Sequence, residues 1–216
     1  MNIGKAFSYI FEDQEWLTKV GIAALVTLIP IIGTLAVLGW MLEITRRVIL
    51  NDAQPLPGWN DFGGYLSRGF MALVIAFVYS LPLVVLSGCM QAALIPMYDQ
   101  TSSNATNMAV TAITLAFSCV TIIYSIALGL VLPIVYARYA DTGQLGEAFK
   151  FGYIFSLLRT APSAYLMVLL GSILAGFAAS LGVIACFIGI LFTAALAMAV
   201  NGHLYGQAYN IARGTV

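Results

Sequence analysis

The sequence predicts an all-α, polytopic integral membrane protein, and three observations support that prediction. Only 8% of the 216 residues are charged and 61% are hydrophobic, whereas roughly 25% of residues are charged in a soluble domain. An ionised side chain costs about 3 kcal/mol at the centre of a bilayer. The nine acidic and nine basic residues all lie outside four long apolar blocks: Val20–Leu42, Gly69–Tyr98, Thr101–Ala137 and Thr160–Ala212.

The last three blocks are predicted to contain four spans. A helix needs about 20 apolar residues to cross ~30 Å of hydrocarbon. Two blocks exceed that length, so we expect tilt, a kink or protrusion, and Pro82 and Pro133 are the positions where a kink would form. The last block is long enough for two antiparallel helices that turn near Gly182. Residues 1–216 should form a single transmembrane helical domain with these spans: Gly69–Pro96, Met108–Ala137, Ala164–Leu181 and Ile184–Asn201.

The first block admits two structures. Pro30 and Gly33 divide Val20–Leu42 into two arms of about ten residues, and each arm reaches only halfway across a membrane at ~1.5 Å per residue. The block is either a fifth span or a re-entrant hairpin, which is tolerated where other helices bury it. Segments Ile3–Phe11 and Ala148–Leu158 carry apolar residues at helical spacing, so we expect amphipathic helices in the membrane interface.

The distribution of Lys and Arg predicts the orientation, because these residues favour the cytoplasmic side. Glu43–Arg68, Ala137–Arg159 and the C-terminal tail carry basic residues, whereas Tyr98–Asn107 carries none. We therefore expect a cytoplasmic C-terminus. If the first block crosses, Lys5 and Lys19 lie outside and the split is seven to two; if it re-enters, all nine lie inside.

A stripe of polar residues follows the third span. Its members alternate at spacings of three and four, which aligns them on one helix face. They form either a packing seam, since small hydroxyl side chains permit close helix approach and bond to their own backbone, or one wall of a polar path or substrate cleft. We call these residues the polar stripe: Asn104, Asn107, Thr111, Thr114, Ser118, Thr121 and Ser125.

Two further sets of residues are candidates for contacts. Small residues at a spacing of four predict a close-packing face on the fourth span: Gly171, Ala175, Ala179, Ser172, Gly176 and Ser180. Basic and aromatic residues beside the apolar blocks are expected to anchor the chain at the interface, the arginines by meeting anionic lipid headgroups at ~1 kcal/mol each. These candidate anchors are Arg46, Arg47, Trp59, Arg68, His203, Tyr205 and Tyr209.

The same composition argues against catalysis. His203 has no second histidine beside it, the three cysteines lack metal-ligand spacing, and no phosphate loop, nucleophile elbow or zinc-binding helix occurs. We expect no catalytic residue, cofactor, metal or nucleic-acid partner. The predicted function is a non-catalytic scaffold, accessory or assembly component that contacts lipid and other membrane subunits. The alternative is a transporter or channel for a neutral or lipid-like solute, with the polar stripe as its wall.

Several segments together resemble an uncharacterised prokaryotic family of membrane proteins, domain of unknown function 4013. The resemblance implies a polytopic helical fold in the prokaryotic cytoplasmic (inner) membrane, and it brings no reaction, cofactor or ligand. The chain departs from the family pattern at Gly58-Trp59-Asn60-Asp61, where a more acidic run is expected. The similar segments are Glu12–Trp16, Ile29–Gly33, Arg46-Arg47, Leu56–Phe62, Gly143–Phe151 and His203–Tyr209.

Overall fold

The computed structural model of the chain describes residues 1–98 and 104–214, and the side chains of 97, 98, 104–106 and 184–188 lie outside that description. The described residues form helices without any strand, which confirms the all-α prediction. Two short 3-10 segments, Leu145–Phe149 and Gly182–Ala185, precede the sixth and eighth helices. The α-helices are α1 (Ile3–Glu12), α2 (Trp16–Thr27), α3 (Ile32–Ile49), α4 (Phe62–Tyr98), α5 (Asn104–Thr142), α6 (Phe151–Thr160), α7 (Pro162–Leu181) and α8 (Cys186–Arg213).

Four helices of the described chain are long and apolar enough to cross a membrane, and they correspond to the four predicted spans. The chain is therefore a multi-pass membrane protein. The turn predicted near Gly182 is the 3-10 segment between α7 and α8. Pro82 and Pro133 lie inside helices that continue through them. The candidate spans are Phe62–Pro96, Asn107–Thr142, Pro162–Leu181 and Gly189–Arg213.

Helix α8 ends later than the sequence predicts. The predicted span stops at Asn201, but the helix continues to Arg213. This extension contains glycines that α3 packs directly against. A Cβ on Gly202 would lie 2.7 Å from the Met41 carbonyl oxygen, so the close contact of the two helices requires glycine there. Packing against a neighbouring helix here outweighs the low helix propensity of glycine, about 1 kcal/mol per residue.

The first apolar block folds back on itself instead of forming one helix. Residues 28–31 separate α2 from α3, and a Cβ on Gly33 would lie 1.8 Å from the Val26 carbonyl oxygen. At the open end, Trp59 Nε1 donates to the Lys19 carbonyl oxygen at 2.8 Å, which joins the start of α2 to the loop after α3. The block therefore forms two helices joined by a turn, which we call the α2–α3 hairpin.

The backbone divides into two compact units. The first comprises Met1–Ile75 and Leu130–Val216, and the second comprises Ala76–Gly129. In the first unit α3 and α8 run parallel, and α7 runs antiparallel to α8. The second unit is the paired portion of α4 and α5, where the Tyr124 hydroxyl donates to the Tyr79 carbonyl oxygen at 2.6 Å.

Candidate functional site

All nine lysines and arginines lie in the first unit, and contacts between helix ends gather charged segments at one end of that unit. The last turns of α8 meet the start of α1, the end of α3 and the end of α5. We call this region the charged end. The three contacts that define it are Asn2 N–Gln207 Oε1 (3.0 Å), Asn210 Nδ2–Val48 O (3.1 Å) and Arg213 Nη1–Asp141 Oδ2 (2.8 Å).

Glu43 is a buried carboxylate at the charged end, with 8% of the residue exposed. Three of the predicted headgroup anchors face it, and one of them also pairs with Asp61, which caps α4 by accepting the Gly64 N–H at 3.1 Å. Arg46 has 49% of its side chain exposed and so keeps access to an anionic headgroup. The distances to Glu43 are 2.8 Å from Arg68 Nη1, 3.4 Å from Arg47 Nε and 3.7 Å from Arg46 Nη1.

A second ionic cluster surrounds Arg138 near the end of α5. Its guanidinium pairs with Glu147 and lies over the Tyr153 ring, 4.4 Å from the ring centroid. Glu147 also pairs with Lys150. The hydrogen bond from Lys150, followed by that from Arg138, lowers the pKa of Glu147 below its ordinary value of 4.5. The cluster thereby ties the 3-10 segment before α6 to α5.

His203 lies on α8 and is buried against α1. It is 5% exposed, its ring stacks on Tyr9 with centroids 4.3 Å apart, and its Nδ1 lies 3.0 Å from Gln207 Nε2. The Tyr9 hydroxyl donates to the Ala199 carbonyl oxygen at 2.9 Å. Burial and, to a smaller extent, the charge of Asp13 raise the pKa of Tyr9. Both rings therefore fix α1 against α8.

The other aromatic candidates for anchoring also have partners within the chain. Trp59 is half-buried and stacks on Trp40 with centroids 5.7 Å apart. Tyr209 is buried and its hydroxyl donates to Asp141, whereas Tyr205 is half-buried and stacks on Tyr136. These contacts hold loops and helices together at the charged end.

A cleft of about 1020 Å³ opens between α1, the segment after α3 and the last turns of α8. Its floor includes Tyr9, His203 and Asn210, whose polar groups already bond within the chain. Lys5 and several carboxylates, including Glu12 and Asp52, also line it. Among the described residues, no three His, Cys, Asp or Glu side chains are grouped to hold a metal ion.

The polar stripe lies on α5, and its described members from Asn107 to Ser125 belong to the second unit. No residue from 111 to 130 is buried. Thr121 is half-exposed and the other described stripe residues are exposed, whereas the Asn104 side chain lies outside the described part. Four hydroxyls donate to the carbonyl oxygen four residues earlier: Thr111 to Asn107, Thr114 to Val110, Ser118 to Thr114 and Thr121 to Phe117.

A family model described as protein of unknown function DUF4013 matches residues 22–204. The chain belongs to this family. No curated protein and no solved structure matches the chain. The matched segment includes α3 to α7 and the polar stripe, whereas α1 and Tyr209 lie outside it.

The predicted close-packing face of α7 contacts α8 over only part of its length. Gly171 and Ala175 are buried, and a Cβ on Gly171 would lie 2.7 Å from Leu204 Cδ1. Ala179 and Ser172 are half-buried, whereas Gly176 and Ser180 are exposed.

Helices α3 and α4 approach each other closely at two glycines that sequence reasoning missed. A Cβ on Gly39 would lie 1.8 Å from the Tyr65 carbonyl oxygen, and a Cβ on Gly69 would lie 1.8 Å from the Leu35 carbonyl oxygen. Helices α3 and α4 therefore cross with their backbones in contact. No spacing within one helix marks this pair, because each glycine lies on a different helix.

Proposed function

We propose that this chain is a non-catalytic membrane component that associates with other membrane protein subunits through the polar stripe of α5. The proposal rests on one observation. No residue from 111 to 130 is buried, and a run of hydroxyl residues follows one face of this part of α5. Small hydroxyl residues are enriched at helix–helix interfaces in membranes, since they permit close approach and hydrogen bonds between helices. A partner helix is the occupant that uses both properties.

The proposed location is the prokaryotic cytoplasmic membrane, with the charged end and the C-terminus on the cytoplasmic side. All nine basic residues belong to the unit that carries this end. Basic residues near the ends of spans favour the cytoplasmic side. Subunit recognition would then take place within the bilayer, and the charged end would remain at the cytoplasmic surface beside anionic headgroups.

Co-purification in mild detergent tests the proposal. The variant Thr114→Val/Ser118→Ala/Thr121→Val removes three stripe hydroxyls, and Val120→Ala/Ile123→Val changes the other side of α5 as a matched control. We expect the stripe variant to recover about twentyfold less of the co-purifying membrane proteins, since three intramembrane hydrogen bonds at ~0.6 kcal/mol each are lost. Equal recovery of the same proteins with wild type and stripe variant would contradict the proposal.

Transport of a neutral or lipid-like solute is the second candidate. The broken α2–α3 hairpin supports it, because transporters build their sites from interrupted helices, and exposure of the stripe leaves it open to water as well as to protein. Proteoliposomes that contain only this chain would test it by glycerol efflux and by translocation of a fluorescent phospholipid. Flux that the stripe variant abolishes would favour transport; flux equal to that of empty liposomes would contradict it.

A further inference from the structure

We propose that the α2–α3 hairpin is a re-entrant element. It enters the hydrocarbon from the charged end, places its tip (residues 28–33) among the acyl chains of the nearer leaflet, and returns to the same side. The interaction surface is the tip, and the partner is hydrocarbon. This inference rests on the hairpin alone and is independent of the polar stripe.

The side chains around the tip are suited to lipid. Apart from Thr27, every residue from Leu25 to Ile32 is apolar, and the Thr27 hydroxyl donates to the Ala23 carbonyl oxygen at 2.8 Å. Five large side chains of this segment lie on the protein surface, which in water would form an apolar patch without cover. Their exposed fractions are 66% for Leu25, 58% for Leu28, 46% for Ile29, 74% for Ile31 and 47% for Ile32.

The backbone of the tip is also suited to lipid. Hydrocarbon offers no hydrogen-bond partner, so a turn within it must satisfy its own N–H groups. Pro30 has none to satisfy. Of the other five N–H groups of residues 28–33, four donate to carbonyl oxygens of the tip region, and Ile31 is the exception: Leu28 to Leu25 (3.1 Å), Ile29 to Val26 (3.0 Å), Ile32 to Pro30 (2.7 Å) and Gly33 to Ile29 (2.9 Å).

The conformation and exposure of Ile31 indicate that the tip contacts something other than this chain. Its φ of 65° and ψ of −64°, with the Ile32 N–H bonded to Pro30, define a γ-turn of the strained type. A β-branched residue is rare at positive φ, where glycine would fit without strain. Ile31 is nevertheless the most exposed of the five apolar side chains. Because it gains little packing within the protein, a hydrocarbon contact accounts for a large apolar residue here.

The dimensions agree with entry into one leaflet. The 12 residues of α2 rise about 18 Å, against ~15 Å for half of the hydrocarbon thickness. The residues before α2 stay with the charged end, because Lys19 pairs with Asp13 at 2.6 Å and donates to the Leu56 carbonyl oxygen at 3.3 Å. The second arm, α3, is packed against α8, so the other helices support the hairpin as a re-entrant segment requires.

Single cysteines before and after the first apolar block report on which side of the membrane each of its two ends lies. In a background with Cys89, Cys119 and Cys186 replaced by Ala, we would introduce Gln14→Cys before α2 and Gln54→Cys after α3. A membrane-impermeant maleimide would be added to right-side-out and to inverted vesicles. We expect both cysteines to react in the same vesicle orientation. Reaction of the two in opposite orientations would show a crossing and overturn the proposal.

A spin label tests the depth of the tip. With a label at Ile31→Cys, we expect strong relaxation by oxygen and weak relaxation by a water-soluble nickel chelate, and the reverse for the label at Gln54→Cys. Ile29→Cys is the second tip position if the first variant folds poorly. Relaxation of both tip labels by the nickel chelate, to the extent seen at Gln54→Cys, would place the tip in water and overturn the proposal.

Discussion

At the scale of single residues, Ile31 has the clearest backbone strain. Its positive φ lies in a region that costs a non-glycine residue of order 1–3 kcal/mol. Ile31→Gly should therefore raise the free energy of unfolding in detergent by about 1 kcal/mol. Denaturant titration of the purified protein measures this change. Ile29→Gly, at a position without positive φ, is the matched control, and equal or lower stability of Ile31→Gly relative to that control would contradict the strain.

Glu43 gives a second prediction, because three arginines depend on one buried carboxylate. Glu43→Gln removes the buried anion that the three arginines share, although Arg68 keeps its pair with Asp61. Because the arginine side chains are 27–49% exposed, solvent screens part of the loss, and we expect a cost of about 1–3 kcal/mol. We expect a corresponding loss of thermal stability in detergent. Glu15→Gln removes a carboxylate whose side chain is 76% exposed, so its effect should stay within about 0.5 kcal/mol. Equal losses in the two variants would show that the Glu43 cluster is not stabilising.

Glu147 predicts a dependence on pH. Its pKa is lowered in the folded protein by Lys150 and then Arg138, so its ionised form stabilises the fold. That contribution is fully present above pH 4.5, the ordinary pKa, and is lost as the pH falls through the lower folded value. The melting temperature of wild type should exceed that of Glu147→Gln at pH 7, and the difference should shrink below pH 4.5. A difference that stays constant or grows towards low pH would contradict this account.

At the scale of helices, the crossing of α3 and α4 depends on glycine. Gly39→Ala would bring a Cβ to 1.8 Å from the Tyr65 carbonyl oxygen, so the helices must separate. Overpacking of this kind costs typically 1–3 kcal/mol. We expect a lower yield of purified protein from size-exclusion chromatography and a lower melting temperature than in wild type. Gly176→Ala is the control, since nothing lies within 4 Å of its added Cβ. If Gly39→Ala matched that control, the backbone contact would be absent.

Helix positions show how far sequence reasoning reaches. The spans and the turn near Gly182 follow from apolar length alone, because the bilayer fixes the number of residues that a crossing needs. The continuation of α8 beyond Asn201 did not follow, since it depends on the contact of Gly202 with α3. The Gly202 and Gly206 spacing was a visible signal for that contact. The packing of α2 back against α3 likewise depends on tertiary contacts, such as that between Trp59 and Lys19, which the sequence does not reveal.

Candidate contacts divide in the same way. A period of three and four residues suffices to align the polar stripe on one face of α5, whereas the direction of that face depends on what surrounds the helix. The aromatic and basic anchors were chosen for their chemistry. Glu43 lies three and four residues before Arg46 and Arg47, so those contacts have a visible helical spacing. The partner of Arg68 and the ring that stacks on His203 come from other helices and have no such spacing.

At the scale of the whole molecule, the basic residues and the polar stripe belong to different units. The first unit carries every basic residue, while the second carries helices whose apolar and hydroxyl faces have little cover within the chain. Four stripe hydroxyls already donate to carbonyl oxygens of α5, so the exposed stripe offers a partner helix mainly close approach between small side chains. This arrangement supports association within the bilayer as the function of the chain.

Photocross-linking in intact membranes tests that claim most directly. A photoreactive residue at Thr114 would probe the stripe, and one at Ile123, nine residues on and about half a turn away, would probe the opposite face. Ile123 is 68% exposed, so lack of access does not limit the control. We predict discrete cross-links to a membrane protein from Thr114 and only lipid adducts from Ile123. Lipid adducts alone from both positions would contradict the proposed association.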